Sequence, residues 1–204
     1  MNVTSHIHPT PHIRIKDIFP NDVLDSLWNE IDELHEHLLP PKDTGSAHED
    51  NQLLKQNSGL YLYKHYGDNS RDSQIANAMH NIVFHPQIMD SWCYSHLSKM
   101  LKITNWETVL LSYYDGGDRY HPHHDVAMFT TLIWLWREPK AFTGGDLILN
   151  EYDLTIESEN NSGVIFLSPE IHSVTPVMKT NRWLNKMDNY GRYCISHFCG
   201  IKNV

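Results

Sequence analysis

The stretch Tyr120-His121-Pro122-His123-His124-Asp125 decides how this chain is read. Side chains on a β-strand alternate between faces, so His121, His123 and Asp125 project to one side and His124 to the other. His-x-Asp thereby delivers an imidazole and a carboxylate to a single face, close enough to share a metal ion. A third ligand has to come from a distant strand. The candidate is His172, in Ser168-Pro169-Glu170-Ile171-His172-Ser173-Val174-Thr175-Pro176-Val177.

Two histidines and a carboxylate on one face of an octahedron leave three positions open, the arrangement that non-haem Fe(II) oxygenases use. Zinc accepts the same donors, so ligand type alone does not choose the metal.

Working outward, short β-rich runs surround this stretch: Thr108–Tyr114, Tyr120–Val126, Phe129–Trp136, Asp146–Leu149, Leu154–Glu157, Val164–Leu167, Ser173–Val177 and Tyr193–Phe198. Asp-Gly-Gly, Glu-Pro, Thr-Gly-Gly, Asn-Asn-Ser-Gly and Ser-Pro separate them, all turn chemistries. Strands at this spacing predict a two-sheet jelly roll over residues 102–204. Upstream, residues 13–101 read as a mainly helical support. Val23, Leu24, Leu27, Trp28, Ile31, Leu34 and Leu38 recur at steps of three and four, with Asn21 or Asp22 placed to cap the helix. Leu60 to Tyr66 reads as a short aromatic strand, residues 73–101 as helix interrupted at Pro86, and residues 1–12 as a loose arm. The expected architecture is one α+β domain, mainly β, with N-terminal helices packed on one sheet.

The chain has 204 residues, enough for one domain with a sizeable core. Its 16 basic and 25 acidic residues leave a formal charge of −9, which argues against a nucleic-acid binder that works by phosphate neutralisation. No apolar stretch approaches the ~20 residues needed to cross a bilayer, so no membrane partner is expected. The first residues carry neither a basic nor an apolar leader pattern, and Cys93, Cys194 and Cys199 form no disulfide framework. A cytoplasmic location is the resulting expectation. No heptad or interface stripe discloses an oligomeric state.

The segment Tyr114-Asp115-Gly116-Gly117-Asp118-Arg119-Tyr120-His121-Pro122-His123-His124-Asp125 resembles the Tyr-x-x-Gly-x-x-Tyr-x-Pro-His-x-Asp segment of the 2-oxoglutarate/Fe(II)-dependent dioxygenases, in their prolyl-4-hydroxylase-like branch. Further segments match in order: Thr130-Thr131-Leu132-Ile133-Trp134-Leu135, Thr143-Gly144-Gly145-Asp146-Leu147, Ser162-Gly163-Val164-Ile165-Phe166 and His172-Ser173-Val174-Thr175-Pro176-Val177. The resemblance spans residues 108–200. It implies a double-stranded β-helix, with His123, Asp125 and His172 binding Fe(II). It also implies 2-oxoglutarate and O₂ as co-substrates, succinate and CO₂ as products, and hydroxylation of a peptidyl (prolyl-type) or small-molecule C–H bond. Tyr114 matches the family tyrosine that reaches the 2-oxoglutarate carboxylate, and Thr131 is expected to line the same pocket. Asp125 favours hydroxylation over halogenation, because related halogenases carry a small residue there.

The far carboxylate of 2-oxoglutarate calls for a buried cation, and a guanidinium grips it through two parallel hydrogen bonds. Arg182 lies ten residues beyond His172, whereas Arg192 opens Arg192-Tyr193-Cys194-Ile195-Ser196-His197-Phe198, which alternates like a final strand. Arg192 is preferred, since a strand beside the one bearing His172 looks into the same barrel. No protein acid or base beyond the ligands is required. Two other readings stay open: a cupin-like metalloenzyme that does not use 2-oxoglutarate, and a non-catalytic β-sandwich binding module.

Overall fold

The structure is a computed structural model and describes residues 1–45, 48–49, 52–67, 72–180 and 189–202. The first half carries strands β1 (Asn2–His6), β2 (His12–Lys16), β3 (His48–Glu49), β4 (Gln52–Leu53) and β5 (Ser58–Tyr61). Its helices are α1 (Asn21–His35), α2 (Leu62–Tyr66), α3 (Gln74–Val83), α4 (Pro86–Ser91) and α5 (Ser95–Lys102). Then come β6 (Trp106–Tyr114), β7 (Tyr120–His123), β8 (Phe129–Leu135), β9 (Phe142–Thr143) and β10 (Leu147–Leu149). The chain ends with β11 (Leu154–Ile156), β12 (Ser162–Leu167), β13 (His172–Val174), β14 (Met178–Lys179) and β15 (Arg192–Gly200).

Two antiparallel sheets face each other. The larger runs β1-β2-β12-β8-β15-β6-β5 and the smaller β11-β10-β13-β7. Period-two alternation on the large sheet supplies two cores at once. Ile133, Leu135, Ile165, Tyr193 and Ile195 pack outward against Leu27, Ile31, Ile75, Met79 and Leu101 of the helices. Leu132, Trp134, Val164, Phe166 and Cys194 point inward against Leu147, Leu149, Ile156 and Val174 of the small sheet. β8 and β12 are therefore buried on both faces and read as nearly continuous apolar runs. This is the double-stranded β-helix that was expected.

The N-terminal arm differs from expectation. Residues 2–6 are a strand, and β2 pairs with both β1 and β12. Ile13 and Ile15 are fully buried, so His-Ile-Arg-Ile-Lys is strand alternation and no helix starts at Ile13. Burial of two such side chains outweighs the polar, proline-rich texture around them, at roughly 1.5–3 kcal/mol each. Helix α1 begins at Asn21 with Pro20 in the cap position and no side-chain cap, so neither Asn21 nor Asp22 caps it. The expected strand over Leu60–Tyr66 divides into the end of β5 and helix α2.

One buried carboxylate ties three helices together. Glu30 of α1 accepts hydrogen bonds from Tyr66 Oη at 2.8 Å, Ser73 Oγ at 2.7 Å and the Ile75 amide at 2.8 Å. Ser73 in turn caps α3 through the Ala76 amide. Glu30→Ala leaves three donors without a partner, and is expected to cost about 3 kcal/mol in a denaturant melt.

Candidate metal centre and cavity

Register brings the ligands together. β7 and β13 pair antiparallel with His123 directly opposite His172, and the two rings lie 4.3 Å apart, centre to centre. The strand ends at His123, so Asp125 is positioned by the turn that follows and not by alternation within the strand. Its amide donates to the Ser168 carbonyl at 3.1 Å. Asp125 Oδ1 stands 3.8 Å from His123 Nε2, and Oδ2 stands 3.5 Å from His172 Nε2. One donor atom from each of the three residues lies within 4.8 Å of the others.

The surroundings select the form that binds a cation. His123 Nδ1 donates to the His121 carbonyl at 2.8 Å and His172 Nδ1 to the Glu170 carbonyl at 2.9 Å. Each ring thereby keeps its Nε2 lone pair aimed at the shared point, the outer-shell device of metal-binding histidines. Burial and the neighbouring His172 push His123 down to about 3, so the ring is neutral at physiological pH. Thr130 Oγ1 donates to Asp125 Oδ2 at 2.7 Å and contacts Ser168 Oγ at 2.8 Å. Tyr120 stacks flat on His123 with ring centres 3.5 Å apart.

Deeper in the barrel, Arg192 at the start of β15 is fully buried. It sits opposite Tyr114 in register, over the Tyr114 ring at 4.7 Å and 5.8 Å from the Trp134 ring. Among the described residues, none of its three guanidinium nitrogens has a hydrogen-bond partner, and neither does Trp134 Nε1. The Thr143-Gly144-Gly145 turn makes room for this side chain: a Cβ on Gly145 would lie 2.6 Å from Arg192 Cδ, and Gly145 has φ +79°. Burial pushes the Tyr114 hydroxyl far up, so it stays a neutral donor.

Thr131 does not join this group. It shares its face of β8 with Ile133 and Leu135 and points toward the helices, which corrects the expectation that it lines the pocket. Thr130, on the inward face, is the threonine that reaches the site. Sequence reasoning missed it; the alternation of Thr130, Leu132 and Trp134 on one face was the signal. His124 lines the cavity mouth although it was expected to face away, and His121 serves through its backbone carbonyl. Arg182 lies outside the described residues.

The cavity has a volume of about 870 Å³ and reaches from His123, Asp125 and His172 past Leu132, Cys194 and Ser196 to a mouth at Tyr63 and Lys64. Among the described residues a second group of donors, Glu107, His197 and Cys199, lies on the helix-facing side of the sheet. It works as a clamp: His197 Nε2 is 2.9 Å from Glu107 Oε2, and His80 of α3 holds the same carboxylate at 3.0 Å. The His197 hydrogen bond, helped by His80, brings the Glu107 carboxyl down from 4.5 to about 2. A folded value below the unfolded one means the contribution is present above about pH 4.5 and is lost as pH falls toward 2. Glu107→Gln is therefore expected to flatten the acid limb of the stability–pH curve in that window, read by thermal melts.

The site thus combines a two-sheet β-helix, two histidines on paired strands with a carboxylate from the following turn, and a buried arginine whose nitrogens have no hydrogen-bond partner among the described residues. Residues 109–187 match the model of the 2OG-Fe(II) oxygenase superfamily. The fold is similar to that of a Pseudomonas putida prolyl-4-hydroxylase, at 17% identity and TM-score 0.60 over 94% of this chain and 93% of that one. It is also similar to a Trichoplax adhaerens prolyl hydroxylase solved with a hypoxia inducible factor peptide fragment, at 13% identity and TM-score 0.62 over 93% and 83% of the two chains. A viral collagen prolyl hydroxylase from Paramecium Bursaria Chlorella virus-1 follows at 12% identity and TM-score 0.50, over 92% and 94%. No curated protein matches the sequence. The matched segment carries His123, Asp125 and His172, and the likeness to the prolyl hydroxylases is one of fold. No helix among the described residues is long and apolar enough to cross a membrane.

Proposed function

We propose that this chain is a 2-oxoglutarate/Fe(II)-dependent dioxygenase, prolyl-4-hydroxylase-like, that hydroxylates an unactivated C–H bond of a peptidyl or small-molecule substrate, with His123, Asp125 and His172 holding Fe(II) and Arg192 anchoring 2-oxoglutarate. The observation that carries the reading is the fully buried guanidinium with three unpartnered nitrogens in the barrel whose other strands bear the ligand triad. An unpaired buried cation costs several kcal/mol, and a carboxylate that accepts two of its hydrogens removes that cost.

When bound, Fe(II) and the keto acid supply the oxidising chemistry, with release of succinate and CO₂. The chain's own residues do the rest. Two Nε2 lone pairs and one carboxylate hold the metal. The His121 and Glu170 carbonyls fix the imidazole tautomers, and Thr130 orients Asp125. Arg192, with Trp134 Nε1 and the Tyr114 hydroxyl, provides donors for the co-substrate carboxylate. Leu132, Val174 and Cys194 line the wall between, excluding water from the path.

The test is an anaerobic titration with Fe(II) and then 2-oxoglutarate, watching for the visible absorption of a chelated keto acid, with His172→Ala as control. A band in the wild type that is lost in the control supports the assignment. Bound iron without a band would favour a metalloenzyme that ignores 2-oxoglutarate, and no bound iron would remove the metal assignment altogether.

A further inference from the structure

Lys55 is a buried cation that lines the cavity, and the co-substrate does not account for it. Only 2% of the residue is exposed, yet it lines the cavity beside Tyr61, Ser112 and Cys194. Its Nζ donates to Thr44 Oγ1 at 2.9 Å. That hydroxyl gives its own proton to the Pro41 carbonyl, so the ammonium has a neutral acceptor and no carboxylate ion pair among the described residues. Asp115, a nearly buried acid, is already taken by Lys179 at 2.5 Å. Burial pulls the Lys55 ammonium down to about 8, which leaves it mostly charged at neutral pH.

The fold holds this ammonium in place deliberately. Residue 55 forms a β-bridge to Tyr120, the Gln56 amide donates to the Arg119 carbonyl at 3.1 Å, and the His121 amide donates to the Leu54 carbonyl at 3.0 Å. The segment is thus stapled to the strand that carries His123. Across from it Gly59 has no side chain, and a Cβ there would lie 3.1 Å from Nζ. The mouth repeats the sign: Lys64 and Lys202 line it, while the acid Glu107 is engaged by His197 and His80. A basic cavity in a chain of net charge −9 runs against the composition.

We propose that Lys55 binds a carboxylate of the compound being oxidised, so that the substrate is an anionic carboxylic acid or a peptide that presents one. The inference rests on the function proposed above and names the substrate's charge. Lys55 is a binding residue for the substrate, as Arg192 is for the co-substrate, and the two unmatched cations divide the two anions between them. A buried, unpaired ammonium destabilises the ligand-free protein, a cost that a bound carboxylate offsets.

The test uses the Fe(II)-loaded enzyme with 2-oxoglutarate and a panel of N-acetyl amino acids, each as the free acid and as the primary amide. Succinate release above the substrate-free rate is the readout. At least one acid is expected to stimulate turnover with a KM tenfold or more below that of its amide. Lys55→Met should erase that preference, Lys55→Arg should restore part of it, and the 2-oxoglutarate Kd should move less than twofold. The melting temperature of ligand-free Lys55→Met should rise, whereas a lysine kept for structure would lower it. Should the variants fail to fold, protection of Lys55 from reductive methylation by the acid but not the amide, in the wild type, decides the same point. Equal use of acid and amide, no stimulation by any acid, a preference that survives Lys55→Met, or a selective loss of 2-oxoglutarate affinity would each overturn the proposal. An absent keto-acid absorption band would instead bring down the underlying function.

Discussion

His172→Ala is expected to lose iron binding and, with it, about a thousandfold or more in succinate formation, because two remaining donors cannot hold the metal on one face. The fold should survive. His172 packs on Phe166 and His123, so its removal costs the contacts of one ring and the Glu170 carbonyl's partner. That is about 1–3 kcal/mol against a typical total of about 5–15. Near-UV circular dichroism and a thermal melt should resemble the wild type while metal analysis reads empty. Thr130→Val grades the result. Its hydroxyl bonds Asp125 and Ser168, so a loss of about 10–100-fold in iron affinity is expected, with the fold retained. A Thr130→Val protein with unchanged affinity would show that the carboxylate needs no orienting partner.

Arg192→Met carries the second large effect. Two charge-assisted hydrogen bonds, each worth about 1.5–3 kcal/mol, correspond to a loss of roughly a hundredfold or more in 2-oxoglutarate affinity at 1.4 kcal/mol per tenfold. The ligand-free protein should be as stable as the wild type or more so, since the variant buries methionine where an unpaired guanidinium stood. Arg192→Lys should recover only part of the affinity, because an ammonium offers a point charge where the carboxylate meets a fork. Calorimetry on the Fe(II)-loaded protein reads all three. Arg182→Ala serves as the comparison: the affinity loss should fall on Arg192 alone.

The local code for the β-helix was legible because strands there are short, alternating and separated by Gly, Pro and Asn turns. All eight expected runs have a counterpart in the structure. The N-terminal hairpin was not legible. His12-Ile13-Arg14-Ile15-Lys16 is a strand only because β12 offers an open edge to pair with, and that partner is some 150 residues away. The same limit explains Thr131. From sequence, Thr130 and Thr131 are interchangeable; which one faces the His123–Asp125–His172 group depends on the sheet's register against β12 and β15, where a shift of one residue exchanges the faces.

By itself the sequence singled out the proposed donor set and its chemistry. His123, Asp125 and His172 are identifiable because only certain side chains bind a divalent cation and because a His-x-Asp spacing keeps two of them near each other. The Gly144-Gly145 turn and the arginine at the head of the last strand were readable for similar local reasons. Tertiary structure alone decided the rest. It set His123 against His172 across two strands, turned Thr130 inward and Thr131 outward, and buried Arg192 and Lys55 without counter-ions among the described residues. Burial is a property of what surrounds a residue, and the low local dielectric is what converts an ordinary surface charge into a demand for an anion.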